Sequence, residues 1–243
     1  MAELEWVEVS GRDLNLASNG VVELQYMAVD VRGKIRGGDT NRLTLNLRPD
    51  TRARVEEAGL RFLNRMELPP GRYQVRVAGH DTVGGAAGSV VYDLEVPDFY
   101  KVPISVSGVV LTSLASPQGA TAKMDDQLKD VLPAPPIGER TFRKGDELAL
   151  FAEVYDNTSD KPHAVDIATT VIADDGKVQF TSAEERASSE LQGQRGGYGY
   201  VARIPLSDLQ PGLYVLVVEA RSRAGNGAAS RREVQFRVIE PAS

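Results

Sequence analysis

Two histidines, His80 and His163, are the only imidazoles in the 243-residue chain, and it has no cysteine. An imidazole beside a carboxylate is the usual general base. His80 is followed at once by a carboxylate, in Ala78-Gly79-His80-Asp81-Thr82. Neighbours on a strand point to opposite faces, so a pair in this arrangement does not meet. No G-x-S-x-G or other nucleophile turn accompanies it. His80 therefore reads as a histidine at a strand end, entering a glycine-rich loop. His163, in Lys161-Pro162-His163, reads as an exposed loop residue. Two distant histidines without cysteine make a poor transition-metal site. The absence of cysteine also excludes disulfides, thiolate ligands and a cysteine nucleophile.

The carboxylates invite a second chemistry. Asp156-Asn157-Thr158-Ser159-Asp160 and Asp174-Asp175-Gly176 are acidic loop segments of the kind that gather around calcium. Neither has the D-x-D-x-D-G ladder. Asp-Gly is a standard hairpin turn and Asp/Asn/Ser clusters cap turns, so turn chemistry is the favoured reading. The stretch Gly84-Gly85-Ala86-Ala87-Gly88 lacks the G-K-[ST] ending of a phosphate loop, and no helical pattern follows it. The sequence thus assigns no catalytic, cofactor-binding or metal-binding residue.

Charge narrows the partners. The net charge is −6. Residues 1–100 hold 12 Lys+Arg and 15 Asp+Glu, and the remainder 16 and 19, so neither half is basic. A nucleic-acid partner would leave a basic face, and none is predicted. No apolar run approaches the roughly 18 residues of a membrane helix, so no membrane insertion is predicted. The opening Met1-Ala2-Glu3-Leu4-Glu5-Trp6 is acidic and alternating, unlike a signal peptide.

The elements that must position these residues alternate with period two, as strands with one buried face do. Residues 21–31 alternate with a switch of face near Val29. Leu43, Leu45 and Leu47 share a face, as do Tyr73, Val75 and Val77. Residues 147–155, 165–173, 198–206, 214–220 and 233–239 repeat this grammar. Residues 104–111 read as one more run. Arg32-Gly33, Gly84-Gly85, Asp175-Gly176, Gly196-Gly197 and Gly225-Asn226-Gly227 mark turns. One short helix is predicted, capped by Asp50 and ended by Gly59, with a loop as the competing reading. Met124 to Val131 offers at most one further turn before Pro133, Pro135 and Pro136.

The segment Leu68-Pro69-Pro70-Gly71-Arg72-Tyr73 recurs as Leu209-Gln210-Pro211-Gly212-Leu213-Tyr214. The spacing of 141 carries on through Val75/Leu216, Val77/Val218, Gly84/Gly225 and Ser89/Ser230. After one inserted residue, Leu94 meets Phe236 and Val96 meets Val238. Upstream, Glu23-Leu24-Gln25-Tyr26-Met27-Ala28 aligns with Glu147-Leu148-Ala149-Leu150-Phe151-Ala152. Pro and Gly allow the bend between sheets, and the Tyr hydroxyl can bond back to it: the tyrosine corner of sandwich domains. Tyr73 and Tyr214 are the expected corner residues.

These patterns predict an all-β chain of two tandem antiparallel β-sandwich domains of immunoglobulin or fibronectin type III-like character. The first spans residues 1–98. The second spans 99–243, with a long irregular insertion near 113–141, rich in Pro, Gly, Ser and Asp.

Four stretches taken together carry a family resemblance. They are Leu68-Pro69-Pro70-Gly71-Arg72-Tyr73-Gln74-Val75, Tyr92-Asp93-Leu94-Glu95-Val96-Pro97-Asp98-Phe99, Ser107-Gly108-Val109-Val110-Leu111-Thr112-Ser113 and Phe142-Arg143-Lys144-Gly145-Asp146-Glu147-Leu148 with its continuation to Asn157. In these the chain resembles the C-terminal region of von Willebrand factor A-related (VWFA-related) proteins of acidobacteria and similar soil bacteria. The resemblance implies an exported, extracellular or periplasmic protein in which an A domain with a D-x-S-x-S metal motif precedes the sandwiches. This chain has no D-x-S-x-S, so that metal site does not carry over. The expectation for function is a non-catalytic protein-interaction or spacer module with a protein partner. The alternatives are a carbohydrate-binding module, which needs a flat row of exposed aromatics, and a hydrolase of unrecognised type.

Overall fold

A computed structural model describes residues 2–14, 16, 20–113, 115, 120–122, 130–159, 161–190 and 197–240, without the side chains of residues 2–6. The chain is all-β, about 60% strand and 8% helix. It divides into two compact units, Met1–Asp98 with Pro117–Asp125, and Phe99–Ser116 with Asp126–Ser243. Each has its own apolar core between two sheets.

In the first unit, β1 (Ala2–Val9) pairs antiparallel with β4 (Leu60–Glu67). The second sheet has β2 (Gly20–Asp30) between β3 (Ile35–Leu45) and β5 (Gly71–Asp81), with β6 (Ala87–Val96) outside β5. Val22, Leu24 and Ala28 of β2 and Val75 and Val77 of β5 face Phe62 and Met66 of β4 across the core. Between β3 and β4 lies α1, Pro49–Ala58. The helix is real, but Asp50 does not cap it. Arg48 is the N-cap, without a side-chain bond, and Pro49 opens the first turn, where its missing N–H costs nothing. Gly59, at φ 77°, ends it as expected. Val55 is the helix's buried anchor.

In the second unit, β7 (Ile104–Val106) and β8 (Val110–Ser113) both pair with β11 (Glu147–Asp156), which also pairs with β14 (Gly197–Pro205). The apolar run at 104–111 is therefore broken. Val106 faces Val154 and Val110 faces Phe151, so four steps on one side match three on the other. That extra residue makes a bulge between Val106 and Val110. The opposing sheet runs β10 (Thr141–Arg143), β16 (Ala229–Ile239), β15 (Gly212–Ser222), β12 (Ala164–Ala173), β13 (Val178–Ala187).

The segment read as an insertion of the second domain is shared. Its β9 (Ala120–Thr121) lies parallel to β4, adding a third strand to the first unit's small sheet. Two pairings, β4–β9 and β10–β16, are parallel, and among the described residues every other pairing is antiparallel. Residues 124–129, where a helical turn was considered, lie outside the described residues.

The repeat is deeper than the sequence match, and its upstream half is corrected. The order β3-β2-β5-β6 in one unit answers to β13-β12-β15-β16 in the other. Thr82 N donates to Val21 O, and Arg223 N to Ala164 O. Both central hairpins carry a register shift, between Ala28 and Val29 and between Val171 and Ile172. Both then turn on a left-handed glycine, Gly33 at φ 78° and Gly176 at φ 81°. Thus β2 corresponds to β12, not to β11. The counterpart of β11 in the first unit is β1, since each pairs antiparallel with the strand that leads into the tyrosine corner.

Candidate functional site

The corners come first, because they start β5, which bears His80, and β15, which ends at Ser222. Tyr73 Oη donates to Pro69 O at 2.6 Å and Tyr214 Oη to Gln210 O at 2.6 Å. Each ring is buried. Tyr214 also stacks on Phe236, ring centres 5.5 Å apart. Burial raises the Tyr214 pKa, against the lowering effect of the bond to Gln210. These tyrosines are folding devices.

From the first corner β5 runs out to His80 and Asp81, and the two part as predicted. Asp81 is buried at 3% exposure, and its Oδ1 accepts from Val83 N at 2.9 Å and Gly84 N at 2.8 Å. It ties off the loop between β5 and β6. His80 is exposed on the outer face of the four-stranded sheet, opposite Glu23 and Ala87. Around it is an open groove of about 500 Å³, lined by Glu23, Gln25, Thr40, Gly79, His80 and Ser89 among others. Small residues on β5 and β6 make the floor: Ala78, Gly79, Ala87 and Gly88. Glu23 lies 3.6 Å from Arg42 Nη1, in an exposed pair worth little in water. The lining has hydrogen-bonding groups of both kinds and no aromatic platform.

The other histidine is where the sequence reading fails. His163 is not exposed: its side chain is 7% accessible and rests on Asp156, whose side chain is fully covered. Nε2 lies 2.5 Å from Asp156 Oδ2, and Nδ1 lies 2.7 Å from Lys161 O. Both neighbours are acceptors, so the site favours the ring with a proton on each nitrogen, the imidazolium. The bond to the Lys161 carbonyl raises the His163 pKa, burial lowers it, and Asp156 raises it further. A relay of hydroxyls completes the cluster. Thr158 Oγ1 donates to Asp156 Oδ1 at 2.5 Å and so accepts from Ser222 Oγ at 2.7 Å. Thr158 Oγ1 also lies 3.3 Å from Nε2. Ser222 Oγ accepts from Ala224 N at 3.2 Å, the same loop-tying contact that Asp81 makes in the first unit. Beside this cluster, Tyr198 Oη is buried with no hydrogen-bond partner among the described residues. Burial and the charges of Asp156 and Glu190 push its pKa up to about 12.

A Ser, a His and an Asp thus converge without forming a nucleophile–base pair. A general base needs a free lone pair, and this imidazole has spent both nitrogens. Ser222 reaches His163 only through Thr158. The arrangement seals one end of the sandwich.

The carboxylates considered for calcium do not assemble. Asp175 serves its own turn, its Oδ1 taking Lys177 N at 3.0 Å and its Oδ2 taking Lys177 Nζ at 2.6 Å. Those bonds hold its carboxyl below the ordinary range. Asp156 lies before β12 and Asp174 and Asp175 after it, and ten strand residues span about 30 Å. Asp160 lies outside the described residues. Among the described residues no three His, Asp or Glu side chains group as metal ligands, and no helix is long and apolar enough to cross a membrane.

No protein-family model matches the chain, and no curated protein matches it. Solved structures do. The Bacteroides uniformis β-glucuronidase is 10% identical with a TM-score of 0.36, over 96% of this chain and 26% of that one. A β-galactosidase-like protein of Bacteroides fragilis is 13% identical with a TM-score of 0.36, over 96% and 32%. The fibronectin(III)-like modules of Clostridium thermocellum CbhA are 14% identical with a TM-score of 0.25, over 92% and 81%. The chain spans 26% of the length of the β-glucuronidase.

Proposed function

We propose that the chain is a non-catalytic protein-interaction module of an exported bacterial protein of the VWFA-related kind. The observation that carries this reading is the groove around His80. It is open, and its polar residues Glu23, Gln25, Thr40, His80 and Ser89 come from all four strands of the larger sheet. Such a surface suits an extended protein segment, with hydrogen bonds fixing its position. The spacer reading rests on the same two-sandwich frame without the groove. Carbohydrate binding is the runner-up, and it lacks the aromatic platform on which a sugar ring stacks. The hydrolase reading fares worse, since Asp81 faces away from His80 and the His163 nitrogens are both engaged.

The test is a pair of arrays, one of proteins and one of glycans, probed with the whole chain and with Ser89→Trp. That substitution fills the groove on an exposed strand position and leaves both cores untouched. Binding to protein that is lost in Ser89→Trp supports the module. Binding only to glycans moves the assignment to carbohydrate recognition. Binding to protein that Ser89→Trp leaves unchanged removes the groove from the account.

A further inference from the structure

Edge strands expose unpaired N–H and C=O groups, and proteins guard them with charge, proline, bulges or cover. Three of the edges here are guarded. β3 carries Arg36, Asp39 and Arg42, and β13 carries Glu184, Glu185 and Arg186. The edge of β16 is covered: β10 lies along Arg237–Ile239, Ser230 Oγ accepts from Val106 N, and Arg232 Nε donates to Val106 O.

β6 occupies in the first unit the place of β16 in the second, and it is treated otherwise. Its residues Ala87, Gly88, Ser89, Val90, Val91 and Tyr92 carry no charge. Val90 is 63% exposed, Val91 55% and Tyr92 40%. The register places Val90 opposite Val77 and Val91 opposite Arg76, as Arg232 is opposite Val218 and Glu233 opposite Val217. Two valines thus stand where the guarded edge has an arginine and a glutamate. Among the described residues β6 pairs with β5 alone.

We propose that β6 is a self-association edge, and that its occupant is β6 of a second copy of this chain, antiparallel about a two-fold axis through Val91. The sequence of the strand selects this occupant. In an antiparallel pair, opposed residues share a face, so a strand meets its own copy about an axis through a residue pair of like parity. With the axis at Val91, Val91 meets its own copy on the outer face. Val90 meets the second copy's Tyr92 on the other face, twice, and aromatic–β-branched pairs of this kind stabilise sheets. The acidic residues fall opposite neutral ones, Asp93 against Ser89 and Glu95 against Ala87. With the axis at Asp93, two like charges would oppose each other directly. Centring on Val90 would set Tyr92 against Gly88 and Val91 against Ser89. The Val91 register alone matches apolar with apolar and keeps the charges apart. The product is an eight-stranded sheet with both His80 grooves on one face. It goes beyond the module reading, because it forms whether or not the grooves bind anything.

The chain has no cysteine, so an introduced one reports on this register directly. Cα atoms of opposed residues lie about 4.5–5.5 Å apart, within the range a disulfide spans. Under mild oxidation, Val91→Cys in the whole chain should give a covalent dimer. Ser89→Cys, whose opposite is Asp93, should not. Sedimentation equilibrium of the unaltered chain should show a monomer–dimer equilibrium. Val91→Lys should raise its dissociation constant at least about tenfold, with the β-sheet circular dichroism unchanged. A chain monomeric at every concentration overturns the proposal. So does a dimer indifferent to Val91→Lys, or cross-linking no better at residue 91 than at 89. The cysteine pair decides the matter even if the lysine variant misfolds.

Discussion

The two units share one frame and finish it differently. Six strands, two bulged hairpins and two tyrosine corners recur, down to the backbone bonds Thr82 N to Val21 O and Arg223 N to Ala164 O. The loop after the corner strand is tied in the first unit by one carboxylate, Asp81, bonding its own loop. In the second unit Ser222 takes that place and is joined to Thr158, Asp156 and His163. One unit closes its end with a local turn, the other with a buried pair between β11 and the residue before β12, joined to β15 through Thr158 and Ser222. The frame tolerates either, and the difference decides how each unit responds to substitution and to pH.

Removing Asp156 should have the largest effect. Asp156→Ala removes the acceptor that holds both His163 Nε2 and Thr158 Oγ1 in a covered site, and breaking such a pair costs about 3–5 kcal/mol. Urea unfolding should show the loss, and a change no greater than that of an exposed alanine substitution would mean that the cluster holds nothing together.

The corners should come next, and alike in both units. Tyr73→Phe and Tyr214→Phe each remove a hydroxyl from a backbone carbonyl, for about 1–3 kcal/mol. The two losses should add, because the sites share no partners. A double substitution much worse than the sum would mean that the units are energetically coupled.

A pH response is expected of the second unit. His163 is raised above the ordinary histidine pKa of about 6.5. The folded state therefore holds the proton more tightly than the unfolded one, and stability from the pair is fully present below about pH 6.5. It is lost as pH rises through the raised folded value. The melting temperature should fall as pH rises above about 6.5, and His163→Gln should abolish that slope. A slope that persists in His163→Gln would assign it elsewhere.

The smallest effect is expected at Tyr198. Its hydroxyl is buried without a partner among the described residues, so Tyr198→Phe should leave stability unchanged or raise it slightly. Tyr200, whose hydroxyl bonds Thr169 Oγ1 at 2.8 Å, is the contrast and should lose stability on the same change.

Much of this was legible in the residues. One-faced strands such as β2, β5 and β12 announce themselves by alternation, and even the bulge in β2 is visible as the switch near Val29. The corners follow from the paired L-x-P-G-x-Y. Strands without one buried face are silent. β4 is buried on both sides over its first five residues, and β13 is largely exposed, so its Glu184-Glu185-Arg186 carries no period. The mistaken equation of β2 with β11 came from comparing strand interiors, where similar residues recur for general reasons. The turns hold the better signal, Gly33-Lys34-Ile35 against Gly176-Lys177-Val178. His163 was misread because its partner lies seven residues upstream, across a turn through Pro162, and nothing local reports that contact.

The parallel strand β9 has a consequence for biosynthesis. A chain emerging from the ribosome presents β1 to β6 before β9, and the small sheet of that sandwich stays two strands wide until Ala120–Thr121 have followed. By then β7 and β8 of the next sandwich are already out, waiting for β11. The first sandwich cannot be finished before the second is begun, and a protease cut at residue 98 would separate β4 from its third strand.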